Sequence, residues 1–390
     1  MKKFWKSFAA VACAAVMAAS VTGCNGNKNG SGDELVIGGI GPVTGPAAVY
    51  GIAVRNGMEL AIDEINAAGG VNGMKLKLDW QDDEHDQEKS VNAYNTIKDN
   101  GAKLLIGTVT SGPCIAVSAE AAKDNMFLLT PSGSAVDAIT AGDNCFRVCF
   151  TDPGQGKIAA DYIADKNLGT KIGVIYDSSI DYSTGILEGF KAECAAKNLT
   201  IVTEQAFTSD NATDFSVQIE KVKESGADLL FLPIYYQEAS LILQQAQGKL
   251  NMPIFGGDGL DGLIEQLGDK VALAQDVYVL TPFAASSPDA KSVAFTNAYT
   301  EKFKGEVPIQ FAADSYDAVY ILKAALEKAG VKDASISISD LGDALKKAMV
   351  EIEYDGVTGK TSWTADGEPT KAPKVMQITV KDGVGSYVEA

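Results

Sequence analysis

The stretch KLLIGTVTSGPCIAVSAEAAKDNMFLLT, residues 103–130, decides the fold. Lys103–Val109 begins with a continuous apolar run and reads as a buried strand. Ala116–Lys123 has helical character, and Phe127–Thr130 is a second apolar run, stopped by Pro131. Strand, helix and strand in so short a span make a βαβ unit. Toward the N-terminus the same alternation holds. Leu35–Ile40 reads as a strand. Ala47–Ala67 has apolar residues at helical spacing and ends at Gly69 and Gly70, residues suited to a helix C-cap. Lys75–Trp80 alternates as a strand, and Gln87–Asn100 is helical. This rhythm predicts a parallel sheet with helices on both faces.

Past residue 150 the rhythm restarts. Strands are expected at Lys171–Tyr176, Leu199–Ala206, Asp228–Pro233, Ile254–Gly256 and Val277–Leu280. Helices are expected at Thr184–Lys197, Phe215–Ser225 and Glu238–Gly248. The tail differs, with three successive helices, Ala290–Lys304, Phe311–Ala329 and Asp340–Val350. The short strands Lys360–Trp363 and Val375–Val380 follow them. Helices without strand partners must cover an existing sheet. The expected fold is therefore α/β, with two doubly wound parallel-sheet lobes. Residues 33–152 with 282–365 form the N-terminal lobe, and 153–281 with 366–390 the C-terminal lobe. Several crossings between lobes, one near the polar stretch Asp366–Lys371, make a hinge rather than a flexible linker.

The N-terminus sets the address. Lys2, Lys3 and Lys6 precede the apolar run Phe8–Val21, which is short for a membrane span, and Thr22-Gly23 leads to Cys24. This is the layout of a secretory signal over residues 1–23. The cysteine after Thr-Gly resembles a bacterial lipoprotein box. Cys24 is then the expected lipidated N-terminus, and residues 24–32 a glycine-rich tether. That places the protein outside the cytoplasm, anchored to the outer face of the cytoplasmic membrane or in the periplasm. The chain carries 33 basic and 51 acidic residues, a net charge of −18. Removing residues 1–23 takes three lysines and no acids, leaving 30 against 51, or −21. So acidic a body disfavours nucleic acid as a partner. Nothing in the composition demands more than a monomer.

Catalytic chemistry has little to work with. His85 is the only histidine, and it sits in Asp82-Asp83-Glu84-His85-Asp86, where a solvated loop position is expected. There is no C-x-x-C pair, no cofactor fingerprint and no cluster with metal-ligand spacing, so no metal or cofactor is expected. Cys114, Cys145, Cys149 and Cys194 read as buried, unpaired thiols, with Cys145 and Cys149 on one strand face.

Four loops follow strands, where open parallel sheets bind ligands. Gly38–Pro46 runs toward Tyr50. Thr108–Pro113 places Ser111 at or beside a helix N-cap, where free N–H groups favour an anion. Thr130–Ser134 adds Ser132 and Ser134 at another strand end. Gly256–Leu260 surrounds one acid, Asp258, with three glycines, which suits an ammonium group. An anion site in one lobe facing a cation site in the other would close on a zwitterion. Tyr182, Tyr235 and Phe311 fall where a cleft would use aromatic walls.

These segments resemble one family in their order: "IGGIGPVTGPAAVYG", "AIDEINAAGGVNG", "DDEHD", "IGTVTSGP", "LLTPSGS", "YSTGILEGF", "PIFGGDGL" and "SYDAV". The resemblance is to the leucine/isoleucine/valine-binding proteins of ABC importers, which have a type I periplasmic-binding fold, and it covers residues 33–390. It implies an amino-acid-binding lipoprotein, not an enzyme, that delivers its ligand to an ABC permease. It implies that Ser111 binds the ligand carboxylate and that Ser132 and Ser134 fall on the family's small residue and threonine. Backbone at Val109 and Ser132 would help hold the ammonium group, which pairs with Asp258. Tyr50, Tyr182, Tyr235 and Phe311 would form the walls. Asp258 is one methylene shorter than the family's glutamate, and two serines replace alanine and threonine, which bears on side-chain preference. An amide, an aromatic acid or a short peptide is the alternative ligand, and a ligand sensor the alternative role. His85 and Thr110 stand where some relatives have a disulfide.

Overall fold

The computed structural model describes residues 34–371 and 373–390. The signal segment, Cys24 and the tether lie outside the described residues. Five parallel strands, β1 (Glu34–Ile40), β2 (Lys75–Gln81), β3 (Leu104–Gly107), β4 (Leu128–Thr130) and β5 (Cys145–Arg147), form the first sheet in the order β2-β1-β3-β4-β5. All residues of β3 and β4 are buried, because a parallel sheet is covered on both faces. The helices between them are α1 (Ala48–Ala67), α2 (Gln87–Asp99) and α3 (Ser111–Asp124). Asp86 caps α2 by accepting from the Lys89 N–H at 2.8 Å. Gly69 and Gly70 take positive φ after α1, and the Gly70 N–H closes on Ile65 O at 2.9 Å.

The second sheet repeats the arrangement. β6 (Lys171–Asp177), β7 (Thr200–Phe207), β8 (Leu229–Leu232), β9 (Ile254–Gly256) and β10 (Val277–Thr281) are parallel in the order β7-β6-β8-β9-β10. Its helices are α4 (Asp152–Asp165), α5 (Asp181–Lys197), α6 (Ser216–Glu224), α7 (Tyr236–Ala246) and α8 (Leu263–Leu267). The fold class is thus the doubly wound α/β pattern, built twice.

After β10 the chain forms α9 (Ala290–Lys302), α10 (Gln310–Ala329) and α11 (Ile338–Met349). α10 packs on α1 and β3 of the first sheet, and α11 on β3. The close approach of α1 and α10 needs Gly57, whose missing Cβ would lie 2.2 Å from Ala312 O. A hairpin of β11 (Glu353–Gly356) and β12 (Gly359–Ser362) follows. Then β13 (Lys374–Lys381) joins β10 antiparallel, and β14 (Val384–Glu389) pairs with β13.

The segment before β13 is tied on both sides. The Arg147 side chain is fully buried and pairs with Glu368 at 3.2 Å. It also donates to Gly133 O, Ala135 O and Val136 O at 2.9–3.0 Å. Trp363 Nε1 donates to Arg147 O at 2.8 Å. Lys371 pairs with Asp314 on α10 at 3.0 Å, with both side chains almost wholly buried.

Three expectations need correction. The strand carrying Cys145 ends at Arg147, so Cys149 lies beyond it and shares no strand face with Cys145, although all four thiols are free and buried. His85 is not a solvated loop residue. It is half-buried, with Nδ1 2.8 Å from Thr110 Oγ1 and its ring edge-on to Tyr235. Burial lowers its pKa. The two positions where the resemblance places a disulfide are therefore joined by a hydrogen bond. Finally, α4, α8, β11 and β14 had no counterpart in the sequence reading.

Candidate functional site

The carboxyl ends of the two sheets face each other, and the loops leaving them enclose one small cavity. From the first sheet come Tyr50 beyond β1, Val109, Thr110 and Ser111 after β3, and Ser132 and Ser134 after β4. From the second come Tyr182 on α5 after β6, Tyr235 after β8, and Asp258 and Gly259 after β9. Phe311, in the first turn of α10, completes the lining. All nine ligand-binding residues expected from sequence are brought to this one place.

On the first-sheet side, Thr110 is the N-cap of α3 and Ser111 its first residue. Thr110 makes no side-chain cap, so its hydroxyl is left for His85 and the first-turn N–H groups of α3 are left uncapped. Uncapped N–H groups and the helix dipole give this corner positive potential. Ser111 Oγ accepts from Ala135 N at 3.1 Å, which leaves its proton to donate. Ser132 Oγ donates to Val109 O at 2.7 Å, bridging the two loops. Thr130 Oγ1 donates to Thr108 O and accepts from Gly133 N, which fixes the turn below them.

On the second-sheet side, Asp258 opens a single 3₁₀ turn, Asp258–Leu260. Its carboxylate accepts from the Tyr182 hydroxyl at 2.8 Å, and that hydroxyl accepts from Gly259 N at 2.8 Å. Gly257 and Gly259 make this approach possible, since a Cβ on either would lie 2.7 Å from the Tyr182 hydroxyl. Burial raises the Asp258 carboxyl to about 6, although the Tyr182 bond favours its charged form. Burial likewise holds the Tyr50, Tyr182 and Tyr235 phenols well above their ordinary value, so all three are neutral.

The aromatic rings form a continuous wall. Tyr182 stacks on Tyr235 at 4.7 Å, Tyr235 meets Tyr50 edge-on at 5.4 Å, and Tyr50 stacks on Phe311 at 4.2 Å. The two sides are closed on each other. Tyr50 donates its hydroxyl proton to Gly259 O, and Tyr236 donates to Pro46 O at 2.9 Å. The enclosed volume is about 10 Å³, room for one water. An amino acid enters only if the sheets part or the rings turn.

Sequence reasoning missed the residues behind this lining. Asp152, at the start of α4, is wholly buried beside Ser134 and Asp258, with Oδ2 unpartnered. Burial raises its carboxyl well above the ordinary range. Gln155 Oε1 accepts from Asp258 N at 2.8 Å. Gln310 Nε2 donates to Asp258 O at 2.8 Å, and the Gln310 N–H donates to Asp261 Oδ2 at 2.7 Å. The signal for Asp152 and Gln155 was the unread helix start Thr151-Asp152-Pro153. Nothing in the local sequence points to Gln310.

Comparison with known proteins bears on the family and the fold. A family model described as periplasmic binding protein matches residues 34–383. The Leu/Ile/Val-binding protein BraC3 of Rhizobium johnstonii is 32% identical over 332 residues, covering 84% of this chain and 88% of that protein. Leu/Ile/Val-binding protein homolog 1 of Brucella abortus is 32% identical over 389 residues, 97% of each chain. Among solved structures, the branched-chain amino acid transporter substrate binding protein LivJ of Streptococcus pneumoniae, in complex with isoleucine, superposes with a TM-score of 0.79 at 29% identity, covering 92% of this chain and all of that one. A solute binding protein of an ABC transporter from Rhodopseudomonas palustris, in complex with 3,4-dihydroxy benzoic acid, gives 0.81 at 21% identity, covering 92% of this chain and 96% of that one, and shares the fold.

Proposed function

Because the chain belongs to the periplasmic binding protein family, whose members here are binding proteins of transporters rather than enzymes, we propose that it captures a branched-chain amino acid between its two sheets and hands it to an ABC permease. One observation carries the reading. The uncapped start of α3 with Ser111 faces the buried carboxylate of Asp258 across a single aromatic-walled cavity. Those groups are complementary to the two ends of a zwitterion, and the rings to an aliphatic side chain. The ligand carboxylate takes the Ser111 proton and the N–H groups of the first α3 turn, with Ser134 beside them. The ammonium group takes Asp258 and the backbone oxygen of Val109.

The lobes of this reading are 33–152 with 282–365, and 153–281 with 366–390. The tied segments around Glu368 and Lys371 serve as part of the hinge. The protein works outside the cytoplasm as a monomer, with Cys24 as its lipid anchor. The lipoprotein-like sequence Val21–Cys24 supports the anchor.

A second chamber favours a variant of this reading. Beyond Tyr235 lies a cavity of about 180 Å³ lined by His85, Asp177 and Glu238, among others. Burial raises the Glu238 carboxyl to about 7. A ligand with a longer, polar side chain would turn Tyr235 aside and reach these groups.

Calorimetric titration of the protein with leucine, isoleucine, valine, their keto acids and glutamine tests both. Saturable binding of the three aliphatic amino acids, absent with the keto acids, is the expected result. Binding of glutamine alone would move the assignment to the polar variant. Equal binding of keto acids and amino acids would remove Asp258 from the ammonium site.

A further inference from the structure

On the far side of the 258–261 turn lies a cavity of about 500 Å³ that the amino-acid site does not use. It opens between α8 and the β13–β14 hairpin of the second sheet and the segment Val307–Gln310 that leads into α10. Its walls are largely apolar, from Ile264, Val271, Phe283, Val307 and Ile309. Its volume falls within the range of small-molecule sites, which join apolar walls to a few convergent polar groups.

Those polar groups are present and unsatisfied. Asp261 and Gln310 are each 1% exposed, and both line the cavity. Asp261 Oδ1 and Gln310 Oε1 have no hydrogen-bond partner, although the other polar atoms of both side chains are used to hold the turn. The hydroxyls of Thr296 and Tyr387, which line the same cavity, are buried and make no well-formed hydrogen bond, although the Tyr387 phenol lies close enough to the Asp261 carboxyl to interact with it. Buried polar atoms left unpaired cost stability, and a cluster of four facing one space calls for a common partner. The two fully buried residues offer only acceptor oxygens, one of them from a carboxylate. The negative charge of Asp261 favours a cationic donor as the partner that satisfies both, competing with the Tyr387 phenol. Glu265 at the rim adds a second negative charge and no positive one.

We propose that this cavity is a second binding site, for a small organic amine with an apolar body, whose ammonium group is held by Asp261 and Gln310. Phenyl or alkyl substituents fill the walls. The hydroxyls of Tyr387 and Thr296 take the remaining hydrogen bonds. Since Gln310 also bonds the backbone of Asp258, the two sites share one structural wall.

Calorimetric titration with 2-phenylethylamine tests this on the whole protein. Saturable binding is expected, and it should survive Asp258→Ala. Two variants should weaken it by about tenfold or more: Asp261→Asn, which removes the charge, and Val307→Trp, which blocks the mouth. Val307 is 59% exposed, so the tryptophan does not disturb the core, and leucine binding should be unchanged in that variant. The alcohol of the same shape, 2-phenylethanol, should bind about tenfold more weakly or worse. Absence of saturable amine binding, equal binding of the alcohol, or loss of binding in Asp258→Ala would each overturn the proposal. None of these outcomes depends on whether leucine binds at Asp258.

Discussion

Asp258 and Asp261 stand at either end of one short turn, yet they face different worlds. Asp258 closes on its own protein: Tyr182 reaches its carboxylate, Gln155 and Gln310 hold its backbone, and about 10 Å³ of space remains around it. Asp261 uses one oxygen to hold Gln310 and leaves the other unpartnered beside about 500 Å³. Both carboxyls are pushed up by burial, to about 6 and about 7. The difference is one of replacement. At the first site a phenol stands where an ammonium group is expected, ready to yield its place. At the second the Tyr387 phenol lies beside the carboxyl but closes no well-formed hydrogen bond, and the larger space stays open next to it.

The comparison breaks most easily at Asp258. Asp258→Ala should cost leucine binding about 2–5 kcal/mol, thirtyfold or more, because an ammonium ion would stay buried without its counter-charge. Unchanged affinity by calorimetry would show that the cavity binds its ligand without this acid.

Asp261→Asn probes the other end through stability. A carboxyl whose folded value is raised from 3.8 to about 7 holds its proton better in the native state. The stability it contributes is present below about pH 4 and is lost as pH rises toward about 7. At pH about 8 the substitution should therefore stabilise the protein by roughly 1–4 kcal/mol in urea denaturation, with little effect near pH 4. Destabilisation at both pH values would mean that the charge itself supports the turn.

The pH profile of leucine binding sharpens the contrast. Ammonium binding selects the ionised form of Asp258, so affinity should be flat above about pH 6 and fall by about tenfold per unit below it. A flat titration down to pH about 4.5 would contradict the raised value. The smallest effect belongs to Ser111→Ala, which removes one hydroxyl donor while keeping the N–H groups of α3. About tenfold weaker binding is expected, and no change would leave the helix terminus alone in charge of the carboxylate.

Much of this arrangement was legible because buried parallel strands are short apolar runs. β3 and β4 are two such runs, and the small residues after them mark loops that end at the cavity between the sheets. The same signal located Ser111 and Asp258. α4 was harder to see. Asp152-Pro153-Gly154-Gln155-Gly156 looks like a turn, but Thr151 caps Gly154 N and proline sits in the first turn, where helices tolerate it. Its glycines serve packing, since a Cβ on Gly156 would lie 2.2 Å from Ile186 O of α5. β14 follows Asp382-Gly383, a two-residue turn with positive φ at both positions, which was a readable hairpin signal. The turn that separates the two acids was not readable at all. Gln310 reaches Asp261 from 49 residues away, and only the return of the chain to the first sheet brings it there.

That return also sets a timetable. The first sheet has all its strands by Arg147, but the helices that cover β3, α10 and α11, end at Met349. At about 5–20 residues per second, a ribosome needs roughly 10–40 s to supply the intervening 200 or so residues. Through that interval the face of the first sheet that α10 and α11 cover has yet to receive them. A chain built this way completes its first sheet's cover only when nearly all of it has been made.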